Sequence, residues 1–206
     1  MMEYWDANSL FTTAPSNVES KTYFKWRKPQ ENSFKINCDG AFCKSSGKAG
    51  IGLICRNSEG LFSKGWAEKV NVTSAFHAEI LAVHKAVVLA EHWQCFPVVI
   101  EMDCKVLFDA LIQKSFRCCP WLLHGLLAEI FELVNDRSSY SFSLIPREGN
   151  DAADLLAALA SRELGPNGLI MESPPPLATI VLREATFVED CSFDQHISEA
   201  DREGVG

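Results

Sequence analysis

Apolar and polar residues alternate in three successive runs near the start of the chain, "SFKINCDGAF" (33–42), "AGIGLICR" (49–56) and "LFSKGWAEK" (61–69). Period-two alternation predicts strands, and the "NSEG" between the last two supplies the Asn, Ser and Gly of a hairpin turn. The period then changes. In "SAFHAEILAVHKAVVLAEHW" (74–93), Phe76, Ile80, Val83, Val87 and Ala90 recur at helical spacing, with Ser74 as candidate N-cap. A fourth strand "PVVIEM", a short helix around "CKVLFDALIQ", a longer one around "PWLLHGLLAEIFELV", a fifth strand "SYSFSLIP" and a closing helix "NDAADLLAALASREL" follow. Three hairpin-like strands succeeded by strand–helix alternation predict an α/β three-layer domain: a five-stranded mixed sheet, antiparallel at first, then parallel where helices make the crossovers.

The flanks read differently. Residues 1–32 are polar without sustained periodicity, and 165–206 open with "GPNG", continue through "SPPP" and end in acidic sequence. Both are expected to be flexible segments around a domain at 33–164, with "LATIVLREATFVED" apolar enough to form a local strand or dock on the core. The longest apolar stretches fall far short of the roughly 20 residues that span a membrane. The N-terminus has no basic start followed by an apolar run, so intracellular residence, in nucleus or cytoplasm, is the expectation. Eight cysteines without Cys-x-x-Cys spacing argue against a zinc site and predict free thiols.

Charge first opposes a nucleic-acid partner, because the chain carries a net −8. Its distribution changes that reading. Residues 35–164 hold 13 basic and 15 acidic side chains, whereas 165–206 hold 2 and 8, so the acidity belongs mainly to the tail.

Four acids stand where acids are unfavourable. Asp39 lies inside the first strand, just before Gly40, and strand interiors disfavour both residue types. Glu79 falls beside the apolar face of the first long helix, Asp103 follows the fourth strand, and Asp154 is the sole polar residue of "AADLLAALA". An ionised carboxylate in such a place costs several kcal/mol unless it is paired or binds a metal. Individually each has a structural reading: a bulge at Asp39, a helix cap at Asp103, dipole partners at Glu79 and Asp154.

Taken together, "WRKPQENSFKINCDGAF", "GIGLICRNSEG", "HAEILAVHKAVVLA", "VVIEMDCKVLFDAL" and "IPREGNDAADLLA" resemble the ribonuclease H superfamily, type-1 branch, in the reverse-transcriptase-like version common in plants. The resemblance spans about residues 26–165. It implies that the acids of the first strand, first helix, fourth strand and final helix, Asp39, Glu79, Asp103 and Asp154, converge as catalytic metal ligands. Hard oxygen donors suit two Mg²⁺ ions, or Mn²⁺. The implied function is endonucleolytic hydrolysis of the RNA strand of an RNA–DNA hybrid, leaving a 5′-phosphate and a 3′-hydroxyl. Asp39 would bridge the ions, Glu79 and Asp103 would hold one, and Asp154 would help hold the other. By the same analogy the backbone at Gly40 and Ala41, with Glu79, would contact 2′-hydroxyls. Lys44, Lys48 and Lys105 are candidate phosphate contacts beside their structural reading as solvated surface. Ser74 is a further phosphate candidate beside its reading as an N-cap.

The resemblance has departures. Cellular members carry a loop histidine shortly before the last acid, and here the stretch is "PREGND". General acid–base help is worth roughly 10²–10⁴-fold, so slow turnover is expected, with Arg147 a poor proton shuttle. The stretch 120–134 is poor in Lys and Arg, which predicts weak, salt-sensitive hybrid binding. Glu101 shares a strand face with Asp103, and Asp103 is preferred because it fits the end of the element. Three readings stay open: an active hybrid nuclease, a retired domain kept for nucleic-acid or protein binding, and another branch such as an exonuclease or transposase. The retained Asp154 favours activity, since many plant-type relatives carry histidine there.

Overall fold

The computed structural model describes residues 26–135, 137–162 and 165–186. One sheet contains β1 (Phe34–Phe42), β2 (Ala49–Arg56), β3 (Phe62–Lys69), β4 (Val98–Met102), β5 (Tyr140–Leu144) and β6 (Gly168–Ile170). Its order is β5-β4-β1-β2-β3-β6. Hairpin connections make β1, β2 and β3 antiparallel neighbours, whereas β4 runs parallel to both β1 and β5. The helices are α1 (Ala75–Trp93), α2 (Lys105–Ile112), α3 (His124–Val134), α4 (Asp151–Ala160) and α5 (Pro175–Thr186). Among the described residues no helix is long and apolar enough to cross a membrane.

Local signals in the chain account for these boundaries. The Asn57 side chain accepts hydrogen bonds from the backbone N–H of Glu59 (3.1 Å) and Leu61 (3.0 Å), and Gly60 adopts φ +82°, closing the β2–β3 turn. Ser74 Oγ accepts from the His77 N–H at 3.1 Å and starts α1 as its N-cap.

Every residue of β2 is buried, because both of its faces are covered. Ile51, Leu53 and Cys55 join α1 in the larger core, while Ile54 packs with Ala152, Ala153 and Leu156 of α4 on the opposite side. The second contact depends on small residues. A Cβ on Gly52 would lie 2.3 Å from the Ala157 nitrogen and 2.4 Å from the Ala153 carbonyl oxygen. Gly52→Ala is therefore expected to force α4 off the sheet and cost about 3 kcal/mol, at the upper end for overpacking. Urea denaturation checks this, and an unchanged midpoint would contradict the packing described.

Two expectations about the flanks need correction. The sheet has six strands rather than five, since Gly168–Ile170 pairs with β3. A three-residue strand is too short to show alternation. The expected tail also supplies α5, a helix rather than the local strand, and it docks on the core as the alternative expectation had it, with Leu177 and Val181 buried against the α4 cluster. Arg183 of α5 pairs with Asp151 of α4 at 2.7 Å. At the other end Trp26, within the segment expected to be flexible, is 3% exposed. The rest of both flanks, 1–25 and 187–206, lies outside the described residues.

Candidate active site

Strand register brings the first two acids together. Asn37 of β1 pairs with Glu101 of β4 in the parallel ladder, so two residues further on Asp39, still within β1, stands beside Asp103, which directly follows the carboxyl end of β4. Glu79 arrives from α1 because Gly40 has no side chain. A Cβ there would lie 2.3 Å from the Ala78 carbonyl carbon and 2.5 Å from the Glu79 nitrogen, so only glycine lets the helix backbone rest on β1 at this point. One carboxylate oxygen each from Asp39, Glu79 and Asp103 lie within 4.8 Å of one another.

This crowding has an electrostatic cost. Burial, then the charges of Asp103 and Asp154, push the Asp39 carboxyl up from 3.8 to about 7. Burial, then Asp39 and Asp103, push Glu79 from 4.5 to about 9. Asp103 is raised by burial, with the Arg147 guanidinium pulling the other way. Unit charges about 4 Å apart repel by about 4 kcal/mol at the effective dielectric of a protein surface. The three carboxylates therefore need protons or a cation.

The donor set fits a hard divalent cation. It offers carboxylate oxygens only, and among the described residues no histidine or cysteine joins the group. Cys38, in β1 beside Asp39, is buried, and burial plus the charges of Glu79, Asp39, Asp103 and Glu101 hold its thiol protonated. A soft-metal site would need the thiolate.

Asp154 stands somewhat apart from the three. It lies in the first turn of α4, its side chain is 46% exposed, and Arg147 Nη2 approaches its Oδ1 at 3.5 Å. Its charge nonetheless reaches Asp39 and Asp103. A residue not singled out in the sequence holds it there. Asn150, fully buried, donates from Nδ2 to the carbonyl of Cys38 at 3.0 Å, tying the start of α4 to β1 one residue before Asp39. Its place just before the helix was the only signal in the chain.

The remaining candidates are dispersed by role. Glu101, the alternative to Asp103, is 2% exposed and fully engaged, pairing with Lys35 at 2.6 Å. Ser74 is committed as the cap of α1. Lys105 opens α2 two residues after Asp103, largely exposed, and pairs with Asp109 at 2.8 Å. Lys44 and Lys48 lie exposed between β1 and β2, and Ala41 is partly buried near the end of β1. A groove of about 540 Å³ adjoins the acids, lined by Asp103, Leu144, Ile145, Pro146 and Arg147.

Known structures share this arrangement of strands and helices. Ribonuclease H1 from the halophilic archaeon Halobacterium salinarum NRC-1 is 22% identical with a TM-score of 0.56, over 62% of this chain and 96% of that one. LC11 ribonuclease H1, solved in complex with an RNA/DNA hybrid, is 24% identical with a TM-score of 0.54, over 61% and 94%. The N-terminal ribonuclease H domain of a Mycobacterium tuberculosis protein gives 18% and 0.57, over 63% and 93%. At these identities the likeness establishes the fold. Comparison with curated proteins finds no match. A family model described as reverse transcriptase-like matches residues 37–160, more than half of the chain and all four acids. The mixed sheet flanked by helices and this match agree: the chain belongs to the reverse transcriptase-like family, within the ribonuclease H superfamily.

Proposed function

We propose that this protein is a metal-dependent endonuclease that hydrolyses the RNA strand of RNA–DNA hybrids. One observation carries the reading: three buried or half-buried carboxylates from β1, α1 and the end of β4 meet within 4.8 Å, in a fold shared with ribonucleases H. The hybrid bound by LC11 ribonuclease H1 supports the choice of substrate.

Asp39, Glu79 and Asp103 would hold one Mg²⁺ or Mn²⁺, and Asp154, with Asp39, would hold a second. Such cations, when bound, lower the pKa of an attacking water and stabilise the leaving oxygen of the scissile phosphodiester. The chain's own residues do the rest. The backbone at Gly40 and Ala41 faces 2′-hydroxyls, which separates RNA from DNA. Lys105 meets a phosphate, and the groove between Asp103 and Arg147 gives the cleaved strand a path away from the acids.

Arg147 occupies the turn before α4, where cellular relatives carry a histidine. A guanidinium does not exchange its proton near neutral pH, so it cannot replace that group as an acid or base. Its positive charge lowers the pKa values of Asp39, Glu79 and Asp103 and keeps them available to cations. Arg147→Ala removes this help, and the acid limb of the cleavage profile is expected to move to higher pH. A limb that stays in place in a pH–rate measurement would contradict the role.

The decisive assay follows an end-labelled hybrid with the full chain in Mg²⁺, in Mn²⁺ and in EDTA. Internal cuts confined to the RNA strand, ending in 5′-phosphate and abolished by EDTA, are the expected result. Hybrid binding without cleavage in either metal would instead identify a retired binding domain, and release of end nucleotides alone would identify an exonuclease.

A further inference from the structure

A second buried cluster of polar groups lies directly behind the acids, on the same face of the sheet. Glu101 accepts hydrogen bonds from Trp26 Nε1 (2.7 Å) and Asn37 Nδ2 (2.9 Å), and pairs with Lys35 Nζ (2.6 Å). Asn37 Oδ1 in turn accepts from Arg56 Nη2 at 3.0 Å, and the Arg56 guanidinium stacks on the Trp26 ring at 3.8 Å. Asn37, Arg56 and Glu101 are each no more than 2% exposed. Three strands and the segment before β1 are thereby joined through charged or polar side chains where apolar packing would have sufficed for stability.

The position of this cluster gives it a consequence for the site. Asn37 and Glu101 are register partners across the β1–β4 ladder, and Asp39 and Asp103 are the next residues on that face in their respective strands. A one-residue slip between these strands would turn one acid away from the other. Burying an ion pair is a poor route to stability, and fixing one arrangement among alternatives is its best-attested use.

We infer that Glu101 and Asn37, clamped by Trp26 and Arg56, are positioning residues that set the spacing of Asp39 and Asp103 for cation binding. Trp26 precedes residues 37–160, the stretch matched by the family model, so part of the site's geometry is supplied by residues N-terminal to that match. The inference rests on the reading of the acids as metal ligands and not on hydrolysis.

The test measures Mn²⁺ affinity by calorimetry and thermal stability, on the full chain, at a temperature where every variant is folded. Glu101→Gln keeps the shape and removes the charge. Trp26→Phe keeps an aromatic ring beside Arg56 while removing the N–H donor together with part of the indole's packing, a loss that the Leu127→Ala control accounts for, so it decides the matter if Glu101→Gln does not fold. Leu127→Ala, at a fully buried site in α3, is a control for general destabilisation. Both network variants are expected to weaken Mn²⁺ binding about tenfold, whereas Leu127→Ala leaves it within twofold despite an equal or larger fall in Tm. With hybrid as substrate, kcat should fall in the network variants while KM stays within twofold. Mn²⁺ affinity unchanged in Trp26→Phe and Glu101→Gln, or lost equally in Leu127→Ala, would overturn the inference. Mn²⁺ binding that depends on the network in a protein that cleaves no hybrid would sustain it and sink the nuclease reading. A folded wild-type chain that binds no Mn²⁺ would overturn both.

Discussion

Asp39→Asn is expected to reduce cleavage of a hybrid by at least about a thousandfold, because metal stabilisation of the transition state is worth several kcal/mol. The same substitution is expected to make the metal-free protein more stable at pH 8. Asp39 is buried, and burial together with the charges of Asp103 and Asp154 raises its pKa to about 7. Asparagine fills the same space without a charge to bury, and it relieves the repulsion felt by Glu79. Loss of activity with a gain in Tm separates a functional acid from a structural one, since a carboxylate compensated within the fold would cost stability when replaced. Differential scanning fluorimetry beside the cleavage assay checks both parts, and a lower Tm for the variant would contradict the electrostatics described.

The second large effect is a pH dependence that metal reverses. Asp39 and Glu79 have folded-state values near 7 and 9, above the 3.8 and 4.5 of free carboxyls. A raised value means that the folded state holds its proton more tightly than the unfolded chain does. The resulting stability is fully present below about pH 4 and is lost as pH rises through about 7 and then about 9. Between pH 5 and pH 9, Tm of the metal-free protein should therefore fall. Mg²⁺ at a hundred times its Kd would add about 2.7 kcal/mol, a rise in Tm of roughly 5–10 °C for a domain of this size. That rise should appear at pH 8 and be nearly absent at pH 5, where protons occupy Asp39 and Glu79. A metal-induced shift of equal size at both pH values would show that these carboxylates are not the ligands.

The acids were legible in the sequence because each violates the pattern around it: Asp39 in a strand, Asp154 among alanines and leucines, Glu79 beside an apolar face. Their convergence was not legible from spacing. It depends on the β1–β4 register and on the absence of a side chain at Gly40, and it entered through the family resemblance. Alternation put Glu101 and Asp103 on one face and could not separate them. Their partners do, since Glu101 is consumed by Trp26, Asn37 and Lys35. The elements that escaped notice are those with no periodicity to read. Trp26 is a buried aromatic ring in a polar segment, its partners 30 and 75 positions away in the chain. Strand β6 has three residues, and α5 begins within "SPPP", a sequence that resembles a linker until Leu177 and Val181 find the far side of α4.

The most direct measurement is anomalous diffraction from crystals of the full chain grown with Mn²⁺. The expected result is a peak bounded by carboxylate oxygens of Asp39, Glu79 and Asp103, at distances between the roughly 2.1 Å of Mg²⁺ and the roughly 2.3 Å of Ca²⁺ on oxygen. Mn²⁺ bound elsewhere, with those three carboxylates turned apart and no peak between them, would contradict the assignment of the site.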